Sequence, residues 1–121
     1  MKKVIITLII IPILVILLII GNFIYTIEFK QIEIETIYNK NNNYKVVFKS
    51  IGEPAWPFGP QKVKVIVYNG NKIIKTYNRK IFNDGAQCDK ENFMVIWLDD
   101  RIKIVLSGDE QKDEIIELNM L

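Results

Sequence analysis

The side chains that ordinarily carry chemistry are scarce in this chain. It contains no histidine. That removes the commonest general base, the Ser-His-Asp and Cys-His nucleophilic systems, and nearly every zinc site. Its serines are Ser50 and Ser107. Lys49 adjoins Ser50, but neighbours on a strand point to opposite faces, so no Ser-Lys dyad is offered there. Acidic residues gather in the stretch Asp84-Gly85-Ala86-Gln87-Cys88-Asp89-Lys90-Glu91. Aligning Gly85 with the invariant glycine of an EF-hand puts Asp84 and Glu91 at ligand positions. Lys80 and Phe82 then stand where the first two acidic ligands belong, and strands flank the loop, so the calcium motif fails. A looser ion site among Asp84, Asp89 and Glu91 stands against an ordinary polar loop. Cys88 has no basic pair beside it and reads as a small, half-buried residue rather than a reactive thiol. Paired carboxylates can run a glycosidase-type reaction, but a domain this small leaves little room for a sugar cleft. The expectation is a protein that is not an enzyme, with no catalytic residue, metal or cofactor.

Two groups of residues point instead to binding. Trp56 and Phe58 stand between prolines in Gly52-Glu53-Pro54-Ala55-Trp56-Pro57-Phe58-Gly59-Pro60. Aromatics of this kind either fold back to plug the open end of a sheet core, the reading favoured here, or form a rigid epitope that dips into a headgroup layer or grips a partner. The second group is Lys62, Lys64, Lys72, Lys75, Arg79 and Lys80, a stretch with no acid in it. Residues 40–80 carry nine basic side chains and one acid, Glu53, whereas residues 81–121 carry four basic and ten acidic ones. That segregation reads equally as cross-strand pairing of opposite charges or as a basic face resting on anionic lipid or anionic wall polymer.

The elements that position these residues are legible from periodicity. Val4 to Ile27 is a run of 24 residues without a charge. A helix of about 20 residues crosses the hydrocarbon core, so this run spans it with room to tilt. Pro12 is tolerated in a bilayer as a kink, and Phe23 and Tyr25 fall where an interfacial aromatic belt belongs. A cleaved signal peptide fits less well, because Ile19-Ile20-Gly21 puts a bulky residue where a small one is needed. A lipoprotein signal fails, since the single cysteine is Cys88. Lys2 and Lys3 flank one end and an acidic stretch, Glu28 to Glu35, the other. The positive-inside rule then keeps the amino terminus in the cytoplasm and places residues 28–121 outside.

Residues 28–121 are enough for one domain with one modest core. They hold 14 basic and 14 acidic side chains, so this part is neutral, which argues against a nucleic-acid partner. With one cysteine it has no internal disulfide and must rely on apolar packing, which suits a bacterial surface protein.

Period-two alternation predicts strands over Gln31 to Tyr38, Tyr44 to Ile51, Gln61 to Asn69, Lys72 to Phe82, Asn92 to Leu98, Arg101 to Ser107 and Asp113 to Met120. Ile32 and Ile34 should share one face of the first. Val46 and Phe48 should point inward from the second, and Val63, Val65 and Val67 from the third. Asn69-Gly70-Asn71 marks a hairpin. Asn92 to Leu98 is apolar on both faces, which predicts a strand buried on both sides with Trp97 in the core. Strands at this spacing predict an all-β domain, a small antiparallel β-sandwich or barrel of about seven strands after the transmembrane helix. The division is 1–27 for a cytoplasmic stub and transmembrane helix and 28–121 for an extracytoplasmic β domain.

The stretch Ile51 to Pro60, then Asn83-Asp84-Gly85-Ala86, Trp97 and Ser107-Gly108-Asp109-Glu110-Gln111, is similar to an uncharacterised group of small bacterial membrane-anchored or exported proteins. The Gly-Glu-Pro-x-Trp-Pro-Phe-Gly-Pro stretch is the most specific part, and the similarity covers most of residues 44–118. It implies one amino-terminal span or signal joined to a domain of this size, and supplies no activity. The expectation is a single-pass cell-membrane protein that acts as a binding or accessory module of the bacterial envelope, its partners the bilayer through residues 4–27 and an anionic lipid, wall polymer or envelope protein. The alternatives are a structural or stress-related surface protein without a specific ligand and, third, a small extracytoplasmic enzyme using carboxylates. Orientation gives the first prediction: a reporter active only in the cytoplasm, fused after Leu121, is silent, and strong cytoplasmic signal reverses the topology.

Overall fold

The computed structural model describes residues 1–119. Helix α1, Lys2–Ile24, passes directly into a π-helical turn, Tyr25–Phe29. None of its residues is buried against the rest of the chain. The combined run, Lys2–Phe29, is long and apolar enough to cross a membrane, a property that an N-terminal signal sequence shares. Pro12 sits inside the helix. Lys30 alone separates the helical run from the first strand.

Seven strands follow: β1 Gln31–Tyr38, β2 Tyr44–Ile51, β3 Gln61–Asn69, β4 Lys72–Ile81, β5 Phe93–Trp97, β6 Arg101–Gly108 and β7 Gln111–Asn119. They form two antiparallel sheets, one in the order β1-β2-β3-β4 and one in the order β5-β6-β7. The predicted end of the last strand at Met120 lies outside the described residues. The alternation that predicted the strands also explains their turns. Gly70, at φ +61°, closes the β3–β4 hairpin where Asn69 pairs with Lys72. Asn42, at φ +57°, lies in the Asn-rich turn between β1 and β2, as asparagine tolerates the left-handed region.

The sheets face each other across one core. The four-stranded sheet contributes Val46, Phe48, Val63, Val65, Val67 and Ile81, and the three-stranded sheet Phe93, Ile102, Ile104, Leu106 and Ile116. Phe48 and Phe93 stack across the gap with ring centroids 4.4 Å apart. The domain is therefore a sandwich, each sheet presenting alternate side chains inward. The β4 and β7 edges are tied by an ion pair, Arg79 Nε to Glu114 Oε1 at 3.2 Å.

Two local expectations change. A register shift between Glu33 and Glu35 breaks the alternation of β1: Ile32, opposite the buried Ser50 at the strand's end and half exposed there, and Ile37, opposite Val46 and packed on the core, fall on one face despite their odd spacing. One extra residue in a strand reverses the facing of everything beyond it. The second correction concerns β5, which is an edge strand of a two-layer sandwich, and among the described residues no third layer covers its far side. Met94 is 56% exposed and Ile96 40%, while Trp97 is only partly buried at the margin of the core.

Phe48, fully buried and stacked on Phe93, therefore takes the central place that the sequence suggested for Trp97. In denaturant unfolding of the full chain, Phe48→Ala should cost about 3–5 kcal/mol by opening a cavity. Met94→Ala should cost less than about 0.5 kcal/mol, as expected of an open surface position. Equal costs would contradict this placement of the core.

Candidate functional site at the helix-facing end of the sandwich

Three segments distant in sequence meet at the end of the sandwich that receives the helix: the 52–60 loop, the 83–89 loop and the 108–111 turn. The contact with the helix is made by backbone. Gly52 N–H donates to the Lys30 carbonyl and Glu53 N–H to the Ile27 carbonyl, both at 2.7 Å. Gly52 has φ +67°, and a Cβ there would lie 2.1 Å from the Ile27 oxygen, so both the conformation and the approach require glycine.

Behind this contact lies Gln61, which is only 1% exposed. Its side-chain Nε2 donates to the Gly52 carbonyl at 2.8 Å, and its Oε1 accepts from Cys88 N–H at 3.4 Å. Gln87 Nε2 donates to a Glu53 carboxylate oxygen. The 83–89 loop is thus fastened to the 52–60 loop by two glutamines, one of them wholly buried with both ends of its amide engaged. Gly85, at φ +75°, lets the turn press on the proline loop: a Cβ there would meet the Pro57 oxygen at 2.9 Å and Phe58 Cα at 3.0 Å. The 108–111 turn joins through Glu110 N–H to the Phe82 carbonyl at 3.1 Å, Phe82 N–H to Gln111 Oε1 at 2.7 Å and Asp109 N–H to Asn83 Oδ1 at 3.2 Å.

The proline loop closes on itself. Ala55 N–H donates to the Pro60 carbonyl at 3.1 Å and Gly59 N–H to the Ala55 carbonyl at 2.6 Å. Its aromatics do not fold back onto the core: Trp56 is 92% exposed and Phe58 69%. The favoured reading of these residues as a plug is corrected, because the small closed ring holds its backbone away from the core and Gln61 occupies the core's open end.

The acidic loop is organised by its own turns. Asp89 accepts from Glu91 N–H at 2.9 Å and Asn92 Oδ1 from Asp89 N–H at 2.9 Å, capping a short 3-10 turn over Lys90–Asn92. A hollow of about 290 Å³ lies between Asn83, Asp89, Glu91, Asn92, Ser107, Gly108 and Asp109. Among the described residues, no three His, Cys, Asp or Glu side chains stand close enough to hold a metal. Asp84, Asp89 and Glu91 are thus not gathered into an ion site. Cys88 is buried, and desolvation, with the Asp89 charge second, pushes its thiol up to about 11. It stays protonated at neutral pH and is a poor nucleophile.

Strand register divides the basic residues. On the outer face of the four-stranded sheet, Lys62 lies directly opposite Lys80, and Lys49 directly opposite Lys64. These two rows are the ones nearest the helix. Lys72 lies at the far hairpin, while Lys75 and Arg79 pair with the inward-facing Val67 and Val63 and so share the opposite face. Lys75 and Arg79 lie over the Tyr77 ring, at 6.0 and 5.3 Å from its centroid. Two acids accompany the four outer lysines: Glu33 is paired opposite Lys49, and Glu28 stands 3.9 Å from Lys62 Nζ with both side chains half exposed. In the three-stranded sheet, by contrast, Lys103 has Glu117 directly opposite, 3.4 Å away. The three-stranded sheet thus sets opposite charges against each other at Lys103–Glu117, while the four-stranded sheet sets like charges opposite at Lys49–Lys64 and Lys62–Lys80 and flanks them with Glu33 and Glu28.

Lys49 and Gln61 are the residues that sequence reasoning passed over. Lys49 reads as outward-facing from the alternation of its strand, but only the pairing with β3 sets it opposite Lys64. Gln61 continues the inward series Val63, Val65, Val67, and a polar residue on that face must find partners. No family model, curated protein or solved structure matches this chain.

Proposed function

We propose that this chain is a single-pass membrane-anchored binding module whose β-sandwich, held outside the cytoplasm, engages a phosphate-bearing polyanion of the bacterial envelope through Lys49, Lys62, Lys64 and Lys80. The observation that carries this reading is the pair of like-charged cross-strand neighbours, Lys49–Lys64 and Lys62–Lys80, in the two rows nearest the helix. Like charges directly opposite one another destabilise a sheet. An anionic ligand lying across both rows offsets that repulsion, and each lysine near an anionic surface contributes about 1 kcal/mol. The short connection through Lys30 keeps these rows next to the membrane, where such polymers and headgroups are met. A binding role accords with a thiol that is buried and protonated and with an Asp89 carboxylate engaged in capping its own turn.

The test uses the full chain in nanodiscs of zwitterionic lipid, with a soluble glycerol-phosphate polymer as the probe. Binding should weaken as salt rises, because screening shortens to about 8 Å at physiological ionic strength. Replacing Lys49, Lys62, Lys64 and Lys80 by glutamine should lower affinity by roughly a thousandfold. Replacing Lys72 and Lys75 should change it little. Salt-independent binding, or equal loss from both sets, contradicts the assignment of this face.

A further inference from the structure

We infer that the Pro54–Pro60 loop is a second membrane contact, with Trp56 and Phe58 seated in the headgroup layer of the same bilayer that α1 crosses. The inference rests on the reading of α1 as a membrane span and deepens the proposed function by fixing how the lysine rows are held over the lipid.

The height of the loop is set by its bonds. Gly52 and Glu53 donate to the Lys30 and Ile27 carbonyls, so the residues that enter the loop lie beside the end of the helical run. Pro54, Ala55, Trp56 and Pro60 then line one cleft with Ile27 and Glu28. Phe23, Tyr25 and Phe29, at that end of the helix, are all more than half exposed in the isolated chain. Trp56 and Phe58 therefore lie on a loop beside the end of the helical run that carries the exposed Phe23, Tyr25 and Phe29. Aromatic side chains with one apolar body and a polar edge concentrate at the membrane–water interface.

The loop is also built to hold its aromatics outward. Three prolines and Gly59 make a ring closed by the Ala55–Pro60 and Gly59–Ala55 hydrogen bonds, and Gly85 braces it from behind through its contact with Pro57 and Phe58. A large indole that is 92% exposed on such a braced loop gains nothing from the protein. Continuity with the apolar helix selects lipid over a protein partner as the occupant. With the helix as one point of attachment and the loop as a second, the domain cannot swing freely, and the Lys62–Lys80 row stays at the level of the headgroups.

Trp56 and Trp97 are the only tryptophans, which makes the test direct. The full chain carrying Trp97→Phe is placed in bilayers, and Trp56 emission is read against a headgroup-attached spin-label lipid and against aqueous iodide. The lipid-borne quencher should remove most of the emission and iodide very little. The same result should appear as the difference between the unaltered chain and Trp56→Ser, which covers the case where Trp97→Phe does not fold. Quenching by iodide and not by the lipid label overturns the proposal. A control with Leu14→Trp as the only tryptophan, read against acyl-chain bromines, separates the two levels of failure. If that position is quenched and Trp56 is not, the loop contact alone is wrong. If that position is not quenched, α1 does not span, and the proposal falls with it.

Discussion

Two backbone hydrogen bonds govern how this molecule is put together. The last carbonyls of a helix have no partner within it and must find one elsewhere, in water or in neighbouring groups. Here Ile27 and Lys30 find theirs in the amides of Glu53 and Gly52. The approach is so close that any side chain at position 52 would enter the space of the Ile27 carbonyl. The helix is consequently joined to the sandwich twice, covalently through Lys30 into β1 and non-covalently through the entry to the β2–β3 loop. A single covalent linker would leave the orientation of the domain to chance; the second attachment fixes it. Gln61 extends the constraint inward, since one buried amide holds the Gly52 carbonyl and the Cys88 amide together.

From that junction the surface chemistry follows. The rows of the four-stranded sheet closest to the helix carry Lys49, Lys62, Lys64 and Lys80, and the loop that enters from Gly52 carries Trp56 and Phe58. Positive charge and exposed aromatic surface are thus gathered at one end, where the helix leaves the domain. The three-stranded sheet is different in kind. It pairs Lys103 with Glu117 across strands, and its outer row of Met94, Val105 and Ile115 is apolar. Arg79 and Glu114 couple the two sheets at their β4–β7 edges, so a cation of the basic stretch is spent on holding the layers together rather than on the outer face.

The strands were legible because β-branched alternation and Asn-Gly punctuation are local signals, and they set β2, β3 and β6 almost to the residue. The failures came where facing depends on a partner. In β1 the register shift near Ile34 cannot be read from the strand alone, since Glu33 and Glu35 alternate correctly on paper. In β5 the apolar character of Met94 and Ile96 suggested a covering layer that a two-sheet sandwich does not have. The proline loop was recognisable as a rigid, irregular segment, yet the residues that brace it, Gly85 against Pro57 and Phe58 and Gln61 against Gly52, lie outside it. The basic stretch was visible as composition, and only cross-strand register separated Lys62, Lys64 and Lys80 from Lys72, Lys75 and Arg79 and added Lys49.

The most direct measurement of the central claim is amide hydrogen exchange at Gly52 and Glu53 in the full chain embedded in a bilayer. If their N–H groups are held by the Lys30 and Ile27 carbonyls, both exchange as slowly as amides in the interior of β2 and β3, although they belong to a loop. Exchange of these two amides at the rate of an unstructured peptide, with β2 and β3 still protected, would show that the helix and the sandwich are joined by Lys30 alone.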